Sequence, residues 1–324
     1  MVMKACAQLF CFIAARCLLP AVIWPQAPGQ PASVQPGAAK KSPESASDLT
    51  PAEFNLYQLA QTVVHWTPKQ IKDSPVFHKL QPAANQDQLA EILKRAGKTG
   101  ELTFQDFPQV ACDEDVTSEK SQGRAVATKH QKFRYIVTLD PSSGVNVLKE
   151  YRTNPVGAPA AKFSLGDLYM LTQGFASTWL HLSPAEQPDS RFRYFGTQTI
   201  RKRECRVVAF AQVPARARRV EEVEAEDGRS AALLVQGLAW IDAETFQTLR
   251  IMTWLLAPRM DVGLSSQIST IDFYPVQPLG TDRTLWLPRE VNVWVVYREM
   301  GIRNIHRYSN YKLFRVESTI KPTP

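Results

Sequence analysis

The chain has 324 residues, 44% of them hydrophobic and 21% charged, and a formal net charge of +7. That length suits one large domain or two small ones, with ample apolar residues for a core and an ordinary composition for a soluble globular protein. The positive excess is mild and lies partly at the N-terminus (Lys4, Arg16), well short of the basic signature of a nucleic-acid binder.

Residues 1–29 read as a signal peptide. Lys4 supplies a positive start, Ala5–Ala15 and Cys17–Trp24 are apolar around Arg16, and Ala27-Pro28-Gly29 places small residues at a cleavage site. Neither apolar stretch reaches the roughly 18 to 20 residues that cross a bilayer, so no transmembrane segment is expected in the mature chain, and the product is expected in the periplasm or outside the cell. Residues 30–49 are rich in Pro, Ala, Ser and Gln and bury too little to offset the entropy of ordering, which predicts a disordered linker.

A helical region follows over 50–107. Thr50, Pro51 and Glu53 form an N-cap, a first-turn proline and a capping-box acid, ahead of Phe54, Tyr57, Ala60, Val63 and Val64 at helical spacing. A short helix is predicted over Pro68–Lys72 after Thr67, and a third over Gln86–Ala96, with Leu89, Ile92 and Leu93 on one face and Gly97 past its end.

Over 108–324 the periodicity becomes alternating, which predicts an antiparallel β-domain. The predicted strands are Ala125–Leu139, Val145–Arg152, Arg191–Thr199, Cys205–Gln212, Leu233–Ile241, Phe246–Leu256, Gln267–Tyr274, Leu285–Val296 and Arg303–Val316. A helix capped by Ser164, with Leu168, Leu171, Phe175 and Trp179 on its apolar side, interrupts them. Asp242-Ala243-Glu244-Thr245 reads as a tight hairpin whose Asp242 side chain accepts from a backbone amide ahead. Such short connections imply a meander of antiparallel neighbours. The charged stretch 214–230 reads as a solvated hairpin tip.

Chemistry is sparse. The chain carries no glycine-rich phosphate loop, nucleophile elbow or histidine pair at zinc-binding spacing, and its five histidines are scattered singly. Asp113, Glu114 and Asp115 are a carboxylate cluster that reads as a solvated turn rather than a cation site. Arg201, Lys202, Arg203 and Arg206 make a positive stripe that either attracts an acidic partner or protects a sheet edge. No catalytic residue, metal site or cofactor is therefore expected, and no nucleic-acid partner. Cys112 and Cys205 are the two cysteines outside the signal peptide. An even pair in an oxidising compartment favours a disulfide, which would stabilise by about 4 to 5 kcal/mol, and the alternative is two separate buried thiols.

Several strands are apolar on both faces, so both are covered or one encloses a cavity. The residues expected to line such a cavity are Trp240, Trp254, Phe273 and Trp294, with Phe175 and Trp179 in a lid. Gly237–Phe246 continuing to Leu249-Arg250-Ile251, then Leu285-Trp286-Leu287-Pro288-Arg289-Glu290-Val291, resemble strands of Lol-type outer-membrane lipoprotein carriers, and Asp106–Cys112 is similar to the start of many secreted bacterial proteins. The resemblance covers the C-terminal third well and implies a curved antiparallel half-barrel, an α+β fold closed by helices, with a cavity that in the carriers holds acyl chains. The extra N-terminal helical region and the charged stretch 214–230 depart from it. The function expected is an exported carrier of a hydrophobic ligand, a lipid or lipidated protein; the alternative is a module that docks an envelope protein partner.

Overall fold

The computed structural model describes residues 49–106, 110–140, 147–157, 175–218, 221–224 and 229–313. The signal peptide, almost all of the linker, and the helix expected from Ser164 up to residue 174 lie outside them.

Eleven strands form one open antiparallel sheet. In chain order they are β1 (Gln81–Pro82), β2 (Val110–Gln122), β3 (Ala125–Asp140), β4 (Val147–Thr153), β5 (Ser190–Ile200) and β6 (Arg203–Gln212). β7 (Glu221–Glu224) and β8 (Ser230–Leu233) pair separately, and β9 (Val235–Asp242), β10 (Thr248–Leu255), β11 (Leu264–Val276), β12 (Leu285–Tyr297) and β13 (Met300–Leu313) complete the large sheet. Its order is β1-β5-β6-β9-β10-β11-β12-β13-β2-β3-β4. Two meanders of sequence neighbours are thus joined by one long-range pair, Gly301↔Ser121 through Leu313↔Val110. Register shifts at Tyr194/Gly196, Thr248/Arg250, Leu264/Ser266, Asp272/Phe273 and Ser309/Lys312 bend the strands that carry them.

The two faces of the sheet bury two cores. On β6, Val208 and Phe210 join the inner core while Val207, Ala209 and Ala211 join the outer one. The outer core lies under the N-terminal segment, whose Tyr57, Val63, Val64, Ile71 and Phe77 pack with Trp240 and Leu249. The inner core receives Ile92 and Ala96 of α3 (Leu89–Asp106) and Ala176, Leu180 and Leu182 of a 3-10 segment, Phe175–Leu182. Covered on both sides, β9 is buried at every residue. Strand β12, by contrast, alternates buried with half-buried positions along Val291–Tyr297.

Both N-terminal capping boxes form, Thr50 with Glu53 on α1 (Pro51–Gln58) and Thr67 with Gln70 on α2 (Pro68–Asp73). Glu53 also fastens α1 to the sheet: Oε2 closes the cap, and Oε1 accepts from Ala232 N and Arg259 Nη1, both at 2.9 Å. Tyr57 donates to Ala232 O at 2.6 Å, and Val63 N donates to Gln236 Oε1 at 2.6 Å.

Four expectations need correction. α3 does not stop at Gly97 but runs on to Asp106. A Cβ at Gly97 would sit 2.9 Å from Leu182 O, Gln187 Nε2 and Pro184 Cδ, so the glycine admits a close approach rather than ending a helix. Asp113, Glu114 and Asp115 lie within β2, not in a turn. Alternation sends Glu114 inward and sets Asp113 and Asp115 beside Arg134 and Lys132 at 3.4 and 3.8 Å. The stretch 214–230 is more than a solvated tip, since Ala217 and Val223 are buried and Arg218 pairs with Asp189 at 2.9 Å.

The fourth concerns the cysteines, which are buried free thiols. Cys112 belongs to the inner core on β2 and Cys205 to the outer core on β6, with five strands between and opposite faces presented. At roughly 4.8 Å per strand the separation far exceeds the span a disulfide allows. Both should react with a thiol reagent only in denaturant, read as one label on each of the peptides that carry Cys112 and Cys205; unlabelled peptides from the denatured chain would restore the bridge.

Candidate functional site

The inner face carries two unusual features, an apolar groove and a buried set of ionisable side chains. The groove runs between α3 and the β10–β12 end of the sheet, walled by Ala96, Gly100 and Thr103 on one side and Leu182, Phe273 and Trp286 on the other. It spans about 420 Å³ counting the part open to solvent, of which about 30 Å³ is clear space. Small side chains on α3 leave this gap, because α3 meets the sheet through Ala96, Gly100 and Thr103, which recur at i, i+4 and i+7.

Of Trp240, Trp254, Phe273 and Trp294, the structure brings Phe273 to this groove. Trp240 lies in the outer core and donates from Nε1 to Gln198 Oε1 at 2.9 Å. Trp254 packs against that core, its ring 6.2 Å from Trp66. Trp294 is out of phase with inward-facing Val293 and Val295, and Arg303 sits 5.1 Å from its ring. Phe175 and Trp179 are in the 3-10 segment, whose neighbours Ala176 and Leu180 join the inner core. The strand period of two explains the scatter: aromatic residues at mixed parity cannot share a face.

The ionisable set occupies the inner side of β2, β3, β4 and β13. Arg152 donates from Nε and Nη2 to the two oxygens of Glu114, at 2.5 and 2.8 Å. His306 Nδ1 lies 2.9 Å from Glu114 Oε1 and carries the proton toward it when the carboxylate is ionised. Glu150 is 3.6 Å from Arg152 Nη1 and accepts from Ala176 N at 2.8 Å. Tyr135 lies under the guanidinium, 5.0 Å from ring centre to Cζ, and Tyr308 completes the wall.

Burial alone would raise the Glu114 pKa, but the Arg152 charge and the bonds from His306 and Arg152 outweigh it and hold the group at about 2. Burial wins at Glu150, whose pKa is raised because Arg152 and the Ala176 amide offset only part of the cost. Burial likewise lowers the His306 pKa, so the ring is held neutral. Burial also raises both thiols, Cys205 to about 11, which leaves neither as a ready nucleophile near neutrality.

This set is absent from the sequence-predicted site residues, although a signal existed. Val110, Cys112, Glu114 and Val116 share one parity, as do Ile302, Asn304, His306 and Tyr308, so a titratable polar residue sits in phase with buried ones on both strands. The positive stripe, by contrast, is largely engaged. Arg201 donates to Phe273 O and Leu249 O at 2.7 and 2.6 Å, Arg203 to Asp242 at 2.5 Å and Arg206 to Ala243 O at 2.5 Å. Asp242 also accepts from Glu244 N and Thr245 N at 3.1 and 2.8 Å, the hairpin bonding expected of it.

Among the described residues no group of His, Cys, Asp and Glu is arranged to hold a metal, and no helix is long and apolar enough to cross a membrane. No protein-family model matches the chain, and no curated protein matches it. Among solved structures it is similar to a LolA superfamily protein from Nitrosomonas europaea, at 15% identity and TM-score 0.33, covering 70% of this chain and 94% of the other. A domain described as outer membrane lipoprotein-sorting, from Vibrio parahaemolyticus, is 10% identical at TM-score 0.33, covering 68% and 93%. A DUF1329 family protein from Desulfovibrio piger is 12% identical at TM-score 0.36, covering 72% and 95%. The architecture itself stands on strand order and register.

Proposed function

We propose that the chain is an exported carrier-like binding protein for a hydrophobic ligand, a lipid or the acyl part of a lipidated protein, taken up on the inner face of the open sheet. The observation that carries this reading is the apolar groove between α3 and β10–β12. Ligand sites are concave and mostly apolar, and this groove has that character, although its clear space of about 30 Å³ is far below their usual size. Its clear space admits only the end of a chain, so deeper entry needs α3 or the 3-10 segment to shift. Export is proposed from the N-terminal pattern of Lys4 and the apolar stretches that follow it. The reading assigns no reaction to the chain; Cys112, Cys205, His181 and His306 are all buried.

Trp286 lines the groove and reports on it. Tryptophan fluorescence of the delipidated protein should change on adding a long-chain fatty acid, and the change should shrink in Trp286→Phe. Gly100→Phe, which fills the groove, should weaken binding at least tenfold, about 1.4 kcal/mol. A delipidated protein that ignores fatty acids, and yields no lipid on extraction after purification, would sink the proposal. Docking through the positive stripe has less to stand on, since Arg201, Arg203 and Arg206 hold backbone carbonyls or Asp242.

A further inference from the structure

The ionisable set holds two carboxyl groups around one guanidinium. Glu114 takes Nε and Nη2 of Arg152, which leaves Glu150 with Nη1 at 3.6 Å. All three side chains are at most 5% exposed. Oε2 of Glu150 is buried and makes no hydrogen bond, while Oε1 accepts from Ala176 N. Ala176 is the second residue of the 3-10 segment whose Leu182 walls the groove. One carboxyl group is therefore both the polar tie between edge strand β4 and the cover of the inner face, and the acid whose charge is least compensated.

The titratable groups around it come from every neighbouring element. They are Cys112 and Glu114 of β2, Tyr135 of β3, Arg152 of β4, and His306 and Tyr308 of β13. The 3-10 segment brings His181, which stacks on Phe210 at 5.3 Å, and α3 holds Arg95 over Phe246 at 3.7 Å.

We propose that Glu150 is a proton-operated latch on the 3-10 segment: its protonated form holds the inner face closed, and loss of that proton loosens the cover. Ionised in the closed state, Glu150 would have to share Arg152 with Glu114 in a water-excluded setting; once the segment lifts, water solvates it. The closed state therefore binds the proton more tightly than the open one, in keeping with the raised pKa of Glu150. The closed population falls as pH rises from the ordinary glutamate value to the raised one, by up to about tenfold per pH unit. His306, buried neutral beside Glu114, opposes this below its ordinary value of 6.5, so the fall is read on the alkaline side of that value. As control of access to the groove, the latch rests on the binding function proposed above.

The test is amide hydrogen exchange of the peptide covering 175–182 in the full, unliganded chain, from about pH 4.5 to about pH 8, referred to intrinsic rates. Protection should fall on the alkaline side by up to about tenfold per unit in the unaltered protein. Glu150→Gln, which keeps an oxygen for Ala176 N, should remove that fall. A flat profile in the unaltered protein, or an unchanged fall in Glu150→Gln, overturns the latch. Should the variant not fold, carbon-13 NMR of glutamate carboxyls in the unaltered chain decides: one carbon titrating above the ordinary range supports it, and none doing so overturns it. No ligand is used, so a failed latch leaves the groove standing, and a groove that binds nothing leaves the latch standing.

Discussion

Glu114→Ala is expected to cost the fold about 3 to 5 kcal/mol, read as a lower urea midpoint with an unchanged slope. The residue accepts two bonds from Arg152 and one from His306 where its side chain is inaccessible to water. Removing it takes both carboxylate bonds from a buried guanidinium, with Glu150 at 3.6 Å the acid left beside it, and breaking such a pair is far costlier than the pair is stabilising. For that reason the double variant Glu114→Leu/Arg152→Met should recover much of the loss, and additive single costs would refute the account. Acid provides an independent reading. Glu114 titrates at about 2, below its ordinary value, so the stability it contributes is complete above about pH 4.5 and is lost as pH falls toward 2. His306, buried neutral, begins to cost stability once pH drops below its ordinary value of 6.5, because the unfolded chain takes up that proton first. Glu114→Ala should abolish the lower of these two acid limbs.

Phe210→Ala should cost a similar amount, about 3 to 5 kcal/mol, through the cavity it leaves. The ring is fully buried on β6, stacks beneath His181 at 5.3 Å and lies 6.3 Å from Phe192. It also occupies the space that Gly237 leaves: a Cβ there would come within 2.8 Å of the ring and 2.3 Å of Met252 O. Since the ring supports the 3-10 segment from below, the variant should also lower amide protection over 175–182 more than it lowers global stability. Equal losses in both would place the ring in the sheet's core alone and detach it from the cover.

Local chemistry in the chain determined most of the secondary structure. Thr50 with Glu53, the helix start after Thr67, and Asp242 with a backbone amide ahead formed as expected, because each is settled within three residues and needs no distant partner. The strands from β3 onward, β7 and β8 excepted, were legible from alternation, and the pairing of neighbours from short connections. What is decided over long separations was not legible. Val110–Leu313 pairing, which places β2 beside β13, depends on closure between segments nearly two hundred residues apart, and no local pattern encodes it. Gly97 read as a helix stop because only the tertiary approach of Leu182 O reveals why a side chain is excluded there. Cys112 and Cys205 formed a plausible pair as a count, but parity and strand order send them to opposite faces. The same two facts separate Trp240, Trp254 and Trp294 from Phe273, and gather Glu114, Glu150, Arg152 and His306 from three strands into one water-excluded set. A sequence states which residues share a parity; which face each parity meets, and what covers it, is settled only when the strands are ordered and the helices laid down.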